Sequence, residues 1–312
     1  MSGQQRRDLD EMLRHAPLDV GGDVAEARAV FHEMMTSIPL PPDVTTTPGQ
    51  LGSIPVVTVD TPESDAADVL LYFHGGAYAI GSAADAAGLA ADVSRRCSAR
   101  AVCVDYRLAP ENPFPAAVDD AVAAYGALLD QGIPSDRIAF VGESAGGGLT
   151  VATLVALRDA SLARPSSATV FSPWADLTVS GASATGKAHL DPALTPQALR
   201  TRARDYLGRA AGPEPLASPV FADLTGLPPL LIQVGSHEIL LDDAVRLASR
   251  AAEHDVHVEL QVWPQVPHVF QSFAVMLDEA DEALRSAAAF VRAHWATTKS
   301  PNEAAPVSSL PS

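Results

Sequence analysis

An α/β architecture, a mostly parallel doubly wound sheet of about eight strands, is predicted by three observations. From residue 68 onward, short apolar runs alternate with stretches of helical periodicity. Most of those runs are nearly uninterrupted, as parallel strands buried on both faces must be. Hydrophobic residues make up 47% of the 312, enough for a sizeable core and too many for wholesale disorder.

The runs read as strands are "DVLLYFHGG", "AVCVDYR", "RIAFVGES", "ATVFSP", "PLLIQVGS" and "VHVELQVWP". Helical spacing covers about 84–96, 115–130, 144–160, 242–254 and 272–295. "IPVVTVD" and the stretch near Val44 add antiparallel strands at one edge. In the last strand Val256, Val258, Leu260 and Val262 share one face, which turns His257, Glu259 and Gln261 toward solvent.

Two segments break this rhythm. The N-terminal one has Val24, Ala27, Phe31, Met34, Met35 and Ile38 at helical spacing. The second carries "HLDPALTPQALRTRARDYLGRA", a helix opened by Thr195-Pro196 in N-cap style. Extra helices inserted after a late strand cover the C-terminal edge of an open sheet, where ligands bind, so the two segments read together as a cap. The expected division is cap helices over 1–45, a first core part over 46–177, a cap insertion over 178–216 and a second core part over 217–296. The tail, 297–312, is polar and rich in Pro and Ser and is expected to be disordered.

Lys and Arg number 21 against 38 Asp and Glu, a net charge of −17. So acidic a surface repels phosphate backbones and anionic lipid, which argues against nucleic acid as a partner. The start of the chain is charged and lacks the apolar stretch of a signal peptide, and no window approaches the ~18 apolar residues of a membrane span. The expected location is cytoplasmic. Cys97 and Cys103 read as two buried small hydrophobes, and no C-x-x-C offers a thiol-based metal or redox motif.

The chemistry gathers at "FVGESAGGGLT". Ser144 sits in a G-x-S-x-G that follows an apolar strand and opens a helix, the setting of a strained turn that projects a nucleophile. A phosphate loop would need Lys-Ser/Thr after the glycines, where this chain has Leu149-Thr150. A serine nucleophile demands a base and an orienting acid, which in α/β-hydrolase order follow it, acid first. Among the downstream histidines His254 lies at a helix end, His257 faces solvent and His294 lies in the terminal helix. His268 lies in a loop past the last strand and is the candidate base. Glu238 stays in the loop after "PLLIQVGS" and is the candidate acid, with Asp242 as the alternative; Asp242 and Asp243 open a helix, where carboxylates serve as caps.

"LLYFHGGAYAIG" ends a strand with two glycines whose amides lie free of bulk. It reads either as an ordinary tight turn or as a site of preorganised N–H donors for a developing oxyanion. His74 precedes Ser144, so an anchoring role for the loop suits it better than that of base. Neither His32-Glu33 nor His237-Glu238 continues into H-E-x-x-H, so no metal is called for.

"HGGAY", "DYRLAPENPFPAA", "GESAGGG", "SPWADL", "VGSHEILLDD" and "PHVF" occur in the order of the hormone-sensitive-lipase-like esterases, bacterial family IV of the α/β-hydrolases. The chain resembles them from about residue 20 to 295, most of all the branch of monoterpene ε-lactone hydrolases and short-chain carboxylesterases. The resemblance implies an α/β-hydrolase fold with a helical cap, no cofactor, a small-molecule ester as substrate, and it allows a homodimer. It implies Ser144 as nucleophile, His268 as base, Glu238 at the acid position, and the amides of Gly76, Ala77 and Ala145 as the oxyanion hole. Ala77 departs from the pattern, since the family usually has a third glycine there; its Cβ would narrow the alcohol side and resist positive φ. Met34, Met35, Trp174, Tyr206, Leu207, Ile239, Val269 and Phe270 lie on the cap or beside the catalytic loops and are candidate pocket walls. Hydrolysis of a carboxylic ester or lactone through an acyl-enzyme is the expected activity. The alternatives are amide or carbamate hydrolysis with the same groups, and a non-catalytic ligand receptor on a hydrolase fold.

Overall fold

Continuous apolar strands need cover on both faces, and the computed structural model, which describes residues 2–209 and 214–296, provides it. The strands are β1 (Thr45–Leu51), β2 (Ile54–Asp60), β3 (Asp65–Phe73), β4 (Ala99–Val104), β5 (Ile138–Glu143), β6 (Ser167–Phe171), β7 (Leu230–Gly235) and β8 (Val258–Trp263). They form one sheet in the order β1-β2-β4-β3-β5-β6-β7-β8. β1 with β2 and β2 with β4 are antiparallel, and every other pair is parallel. The expectation of a mostly parallel sheet with an antiparallel edge is met.

Nine helices accompany it among the described residues: α1 (Ser2–Arg14), α2 (Val24–Thr36), α3 (Ala87–Cys97), α4 (Ala116–Asp130), α5 (Ala145–Asp159), α6 (Ala182–Gly186), α7 (Pro196–Leu207), α8 (Leu241–Glu253) and α9 (Asp278–Ala296). Strand alternation divides the core between them. Val69, Leu71 and Phe73 of β3 enter the cluster with residues of α4, α5 and α8, while Leu70 and Tyr72 enter the one with α3 and α9. None of these helices is long and apolar enough to cross a membrane.

The terminal helix starts later than the expected 272, because Phe270–Phe273 forms a 3₁₀ turn before α9. The edge strand β8 also departs from the sequence reading. Leu260 and Val262 are 37% and 45% exposed, while Gln261 accepts from Gln233 Nε2 at 2.9 Å and donates to Ser286 Oγ of α9 at 2.7 Å. Period-two alternation identifies two faces but not which of them a helix will cover.

The two segments that break the rhythm pack on each other. Asp23 caps α2 by accepting from Ala25 and Glu26 N–H, and Thr195 caps α7 by accepting from Ala198 N–H. Arg202 of α7 is buried and donates to Gly22 O at 2.7 Å, and Gly21 lies so near Ala198 that a Cβ would meet its Cα at 2.9 Å. Arg28 of α2 donates to Ala79 O at 2.8 Å and to Ala109 O at 2.9 Å, fixing that helix to the loop after β3. α1 lies elsewhere: its Leu9 packs with Val266, Phe270, Leu277 and α9. The tail expected to be disordered, 297–312, lies outside the described residues.

Candidate active site

Ser144 ends the run of β5 and stands before α5 with φ 55° and ψ −121°, a conformation that costs a non-glycine residue about 1–3 kcal/mol. The strain is held by neighbours. Ser144 N–H donates to Phe171 O at 2.9 Å, and its carbonyl accepts from Trp174 and Gly148 N–H. The glycines after it serve close approach. A Cβ on Gly146 would fall onto the carbonyl oxygen of Phe73, so α5 can start against β3 only without a side chain there.

Three loops at the C-terminal edge bring the candidate residues together. His268 Nε2 lies 2.9 Å from Ser144 Oγ, and His268 Nδ1 lies 2.7 Å from Glu238 Oε2. Glu238 is fully buried; its Oε1 accepts from Gly235 N–H and from Ser172 Oγ, each at 2.7 Å. Ser172 Oγ in turn accepts from Val269 N–H at 3.1 Å, so one hydroxyl ties the loop of the acid to the loop of the base. Burial pushes the His268 imidazolium down, but the charges of Glu238, Asp191 and Glu143 outweigh it and hold the ring above its ordinary value. Such a ring can take a proton from Ser144 and keep it while negative charge develops on a substrate. Asp242 and Asp243 are engaged elsewhere: Asp242 accepts from Ser183 N–H, and buried Asp243 accepts from the N–H groups of Ala175 and Asp176.

On the other side of Ser144 runs the loop after β3. A Cβ on Gly75 would lie 3.2 Å from the Ser144 Cβ, so the loop sits directly against the candidate nucleophile. Gly75 N–H donates to Glu143 Oε1 at 2.7 Å. His74 is buried, stacks on Tyr106 at 4.2 Å and contacts Gly75 O through Nδ1 at 2.6 Å, as suits an anchor. Gly76 O accepts from Ala79 and Ile80 N–H, closing a tight turn. The N–H groups of Gly76, Ala77 and Ala145 have no acceptor among the described residues. Gly76 has φ 109°, and Ala77 and Tyr78 also take positive φ, 51° and 60°. Ala77 therefore adopts the conformation its Cβ was expected to resist.

The pocket-wall candidates divide. Met34 and Met35 are half-buried on α2. Trp174 and Tyr206 are buried around Tyr78, the latter stacked on it at 3.9 Å. Ile239 is buried beside Glu238. The others serve packing or a different cavity. Leu207 lines a space of about 330 Å³ with Leu177, Gln197, Arg200, Ala203 and Arg204, which includes none of the three aligned side chains. Val269 has φ 49° and packs against the α3–α9 cluster, and the turn it starts sends Phe270 into the cluster with Leu9, Val266 and Leu277. Sequence reasoning passed over Glu143, Ser172 and Asp191. Ser172 stood within the recognised "SPWADL" segment, but nothing in the segment states what its hydroxyl meets.

A mostly parallel sheet with a serine, an imidazole and a carboxylate aligned at its C-terminal edge is the arrangement of α/β hydrolases. A family model described as an α/β hydrolase fold matches residues 70–272. The chain is 47% identical over 223 residues to an acetyl-hydrolase of Streptomyces hygroscopicus, covering 72% of this chain and 75% of that one. It is 35% identical over 264 residues to an esterase of Acinetobacter venetianus, covering 84% and 87%. Among solved structures, an esterase of the bacterial hormone-sensitive lipase family superposes with a TM-score of 0.91 at 40% identity, covering 94% of this chain and 98% of that one. The chain belongs to the α/β-hydrolase family, among its hormone-sensitive-lipase-like bacterial esterases.

Proposed function

We propose that this carboxylic ester hydrolase cleaves short- to medium-chain esters, and lactones of similar size, through an acyl-enzyme on Ser144. The observation that carries the reading is the hydrogen-bonded row Glu238–His268–Ser144. Ser144 Oγ attacks the carbonyl carbon while His268 Nε2 takes its proton. Glu238 fixes the tautomer with the proton on Nδ1 and balances the imidazolium. The oxyanion collects at the unpaired N–H groups of Gly76, Ala77 and Ala145, which need no reorganisation to receive it. His268 then protonates the leaving alkoxide, and water releases the acyl group by the reverse sequence. The substrate enters between α2 with its flanking residues and the insertion 178–216, with the half-buried Met34 and Met35 as its walls. Similarity to a protein named acetyl-hydrolase supports the small-acyl end of that range. A second copy of the chain is part of the proposal, paired along the open edge of β8 where Leu260 and Val262 are exposed; sedimentation velocity distinguishes dimer from monomer.

The test is covalent. An organophosphonate carrying p-nitrophenol should release one equivalent of the phenol and leave its phosphonyl group on Ser144, as peptide mass mapping reads. A panel of p-nitrophenyl esters of increasing acyl length, with several lactones, should show turnover declining beyond medium chains. Modification of a different residue, or turnover undiminished in Ser144→Ala, would overturn the reading.

A further inference from the structure

Glu238 is held by the core, through Gly235 N–H and Ser172 Oγ, but the residue that follows it is held by the cap insertion. Both backbone polar groups of Ile239 bond to that insertion. Its N–H donates to Asp191 Oδ2 at 2.8 Å, and its carbonyl accepts from Ser183 Oγ at 2.7 Å. Ser183 is locked in turn, accepting from Asp242 N–H and donating its own N–H to Asp242 Oδ2, each at 2.9 Å.

Asp191 lies between α6 and α7 and is 5% exposed. Its Oδ1 accepts from the N–H groups of Ala193 and Leu194, both at 2.9 Å, which is all that the local turn asks of it. The second oxygen is not needed there, yet it leaves the insertion and meets the loop of the acid. A buried carboxylate is costly unless its oxygens are engaged, so this one is committed to both places at once. Burial pushes the Asp191 carboxyl up; His268 and the three N–H groups oppose that.

We propose that Asp191 is a positioning residue for the acid: by fixing the peptide between Glu238 and Ile239, it aims the Glu238 carboxylate at His268 Nδ1. The inference rests on the reading of Glu238 and His268 given above. It makes the cap insertion part of the proton-transfer apparatus at this point, and not only a cover over the substrate. The same carboxylate adds a third negative neighbour to His268, beside Glu238 and Glu143, and Arg14 reaches the adjoining residue through Leu190 O.

The test compares Asp191→Asn and Asp191→Glu in the full chain. Asp191→Asn presents a full set of acceptors to either the turn or Ile239, not to both, and removes the charge. It should lower kcat about ten- to hundredfold with little change in KM, since misaimed catalytic groups cost turnover and not binding. The acid limb of its pH–rate profile should move to lower pH, because His268 loses a negative neighbour. The downfield proton resonance of His268 Nδ1–H should shift or broaden. Asp191→Glu keeps the charge and displaces the oxygen, so it should lower kcat while leaving the acid limb in place. Full kcat and an unmoved acid limb in Asp191→Asn would overturn the proposal, as would a loss seen only in KM. Should Asp191→Asn not fold, wild-type kcat in Asp191→Glu would overturn it alone. Phosphonate labelling of the unaltered protein keeps the two readings apart: without modification at Ser144 the triad itself fails, whereas normal labelling with an indifferent Asp191 sinks only the positioning role.

Discussion

On the acid–base side of Ser144 the polar side-chain atoms are already engaged, whereas the loop after β3 and the start of α5 hold three N–H groups with no acceptor among the described residues. Each region mixes buried and half-buried residues, so the contrast is not one of solvent access. Glu238 is fully buried, so its carboxyl oxygens must be satisfied in the resting protein. In the proposed role of oxyanion donors, the N–H groups of Gly76, Ala77 and Ala145 would wait for a charge that exists only during reaction, and an internal acceptor would defeat them. Even in that loop the surrounding groups are taken: Gly75 N–H by Glu143, Ala79 O by Arg28, and Tyr78 O by Ala109 N–H.

The sharpest way to break this contrast is to leave the acid side intact in shape and wrong in charge. Glu238→Gln can keep its bond from Ser172 but no longer balances the imidazolium and can select the other tautomer. We expect kcat to fall about 10³–10⁴-fold on short p-nitrophenyl esters, with the fold retained by circular dichroism. A loss under tenfold would mean that Asp242 or another group supplies the acid.

The converse change keeps charge and disturbs the waiting donors. In Gly76→Ala the new Cβ would collide with Ile80 O, and φ 109° is a glycine conformation. The turn must open, carrying the Gly76 and Ala77 N–H groups off the oxyanion position. The expected cost is about 10²–10³ in kcat, with the variant destabilised but still folded at the assay temperature by circular dichroism. Retention of kcat would remove this loop from the chemistry.

What could be read in advance follows the same division. Buried parallel strands must be apolar throughout, so β3 to β7 were legible as runs, and a nucleophile at a strand–turn–helix junction left its glycines in the chain. Position in a loop past the last strand then separated His268 from His254 at a helix end, His257 on the solvent face and His294 in the terminal helix. Ser172, Glu143 and Asp191 were not legible, because a buried polar residue takes its meaning from whatever the fold sets against it. The exposed face of β8 and the inward turn of Phe270 escaped for a related reason: alternation says that two faces differ, while helix placement decides which one is covered.

Between the two sides stands Glu143, which touches both: it accepts from Gly75 N–H, and its charge raises His268. It is half-buried beside Ser144 with its Oε2 enclosed and unpartnered, and it grips Gly75 N–H; burial pushes its carboxyl up to about 7, against the opposing pull of the Tyr72 hydroxyl and Gly75 N–H. A carboxyl whose folded value lies above its unfolded one stabilises the protein fully at low pH. That contribution is lost as pH rises from the ordinary carboxylate range to about 7. Glu143→Gln keeps an acceptor for Gly75 without a charge to bury. Its melting temperature should match the unaltered protein near pH 5 and exceed it near pH 8, by an amount equivalent to on the order of 2–3 kcal/mol. Equal melting temperatures at pH 8 would mean that Glu143 is satisfied as a carboxylate.

The smallest change tests the waiting donors at their one irregular position. Ala77 holds φ 51° in spite of its Cβ, a strain of about 1–2 kcal/mol that the turn around Gly76 O and the Arg28 anchor hold in place. Ala77→Gly relieves that strain but frees the unfolded chain by a comparable amount, so stability should move by less than about 1 kcal/mol. The N–H group stays where it was, and turnover of ethyl or p-nitrophenyl esters should hold within a few-fold. The removed methyl should instead open the alcohol side. Esters of tertiary alcohols, measured against the same acid esterified to a primary alcohol, should gain relative kcat/KM. Identical ratios before and after the change would place the alcohol moiety away from Ala77, and the donors would then have to be reassigned between the loop after β3 and the start of α5.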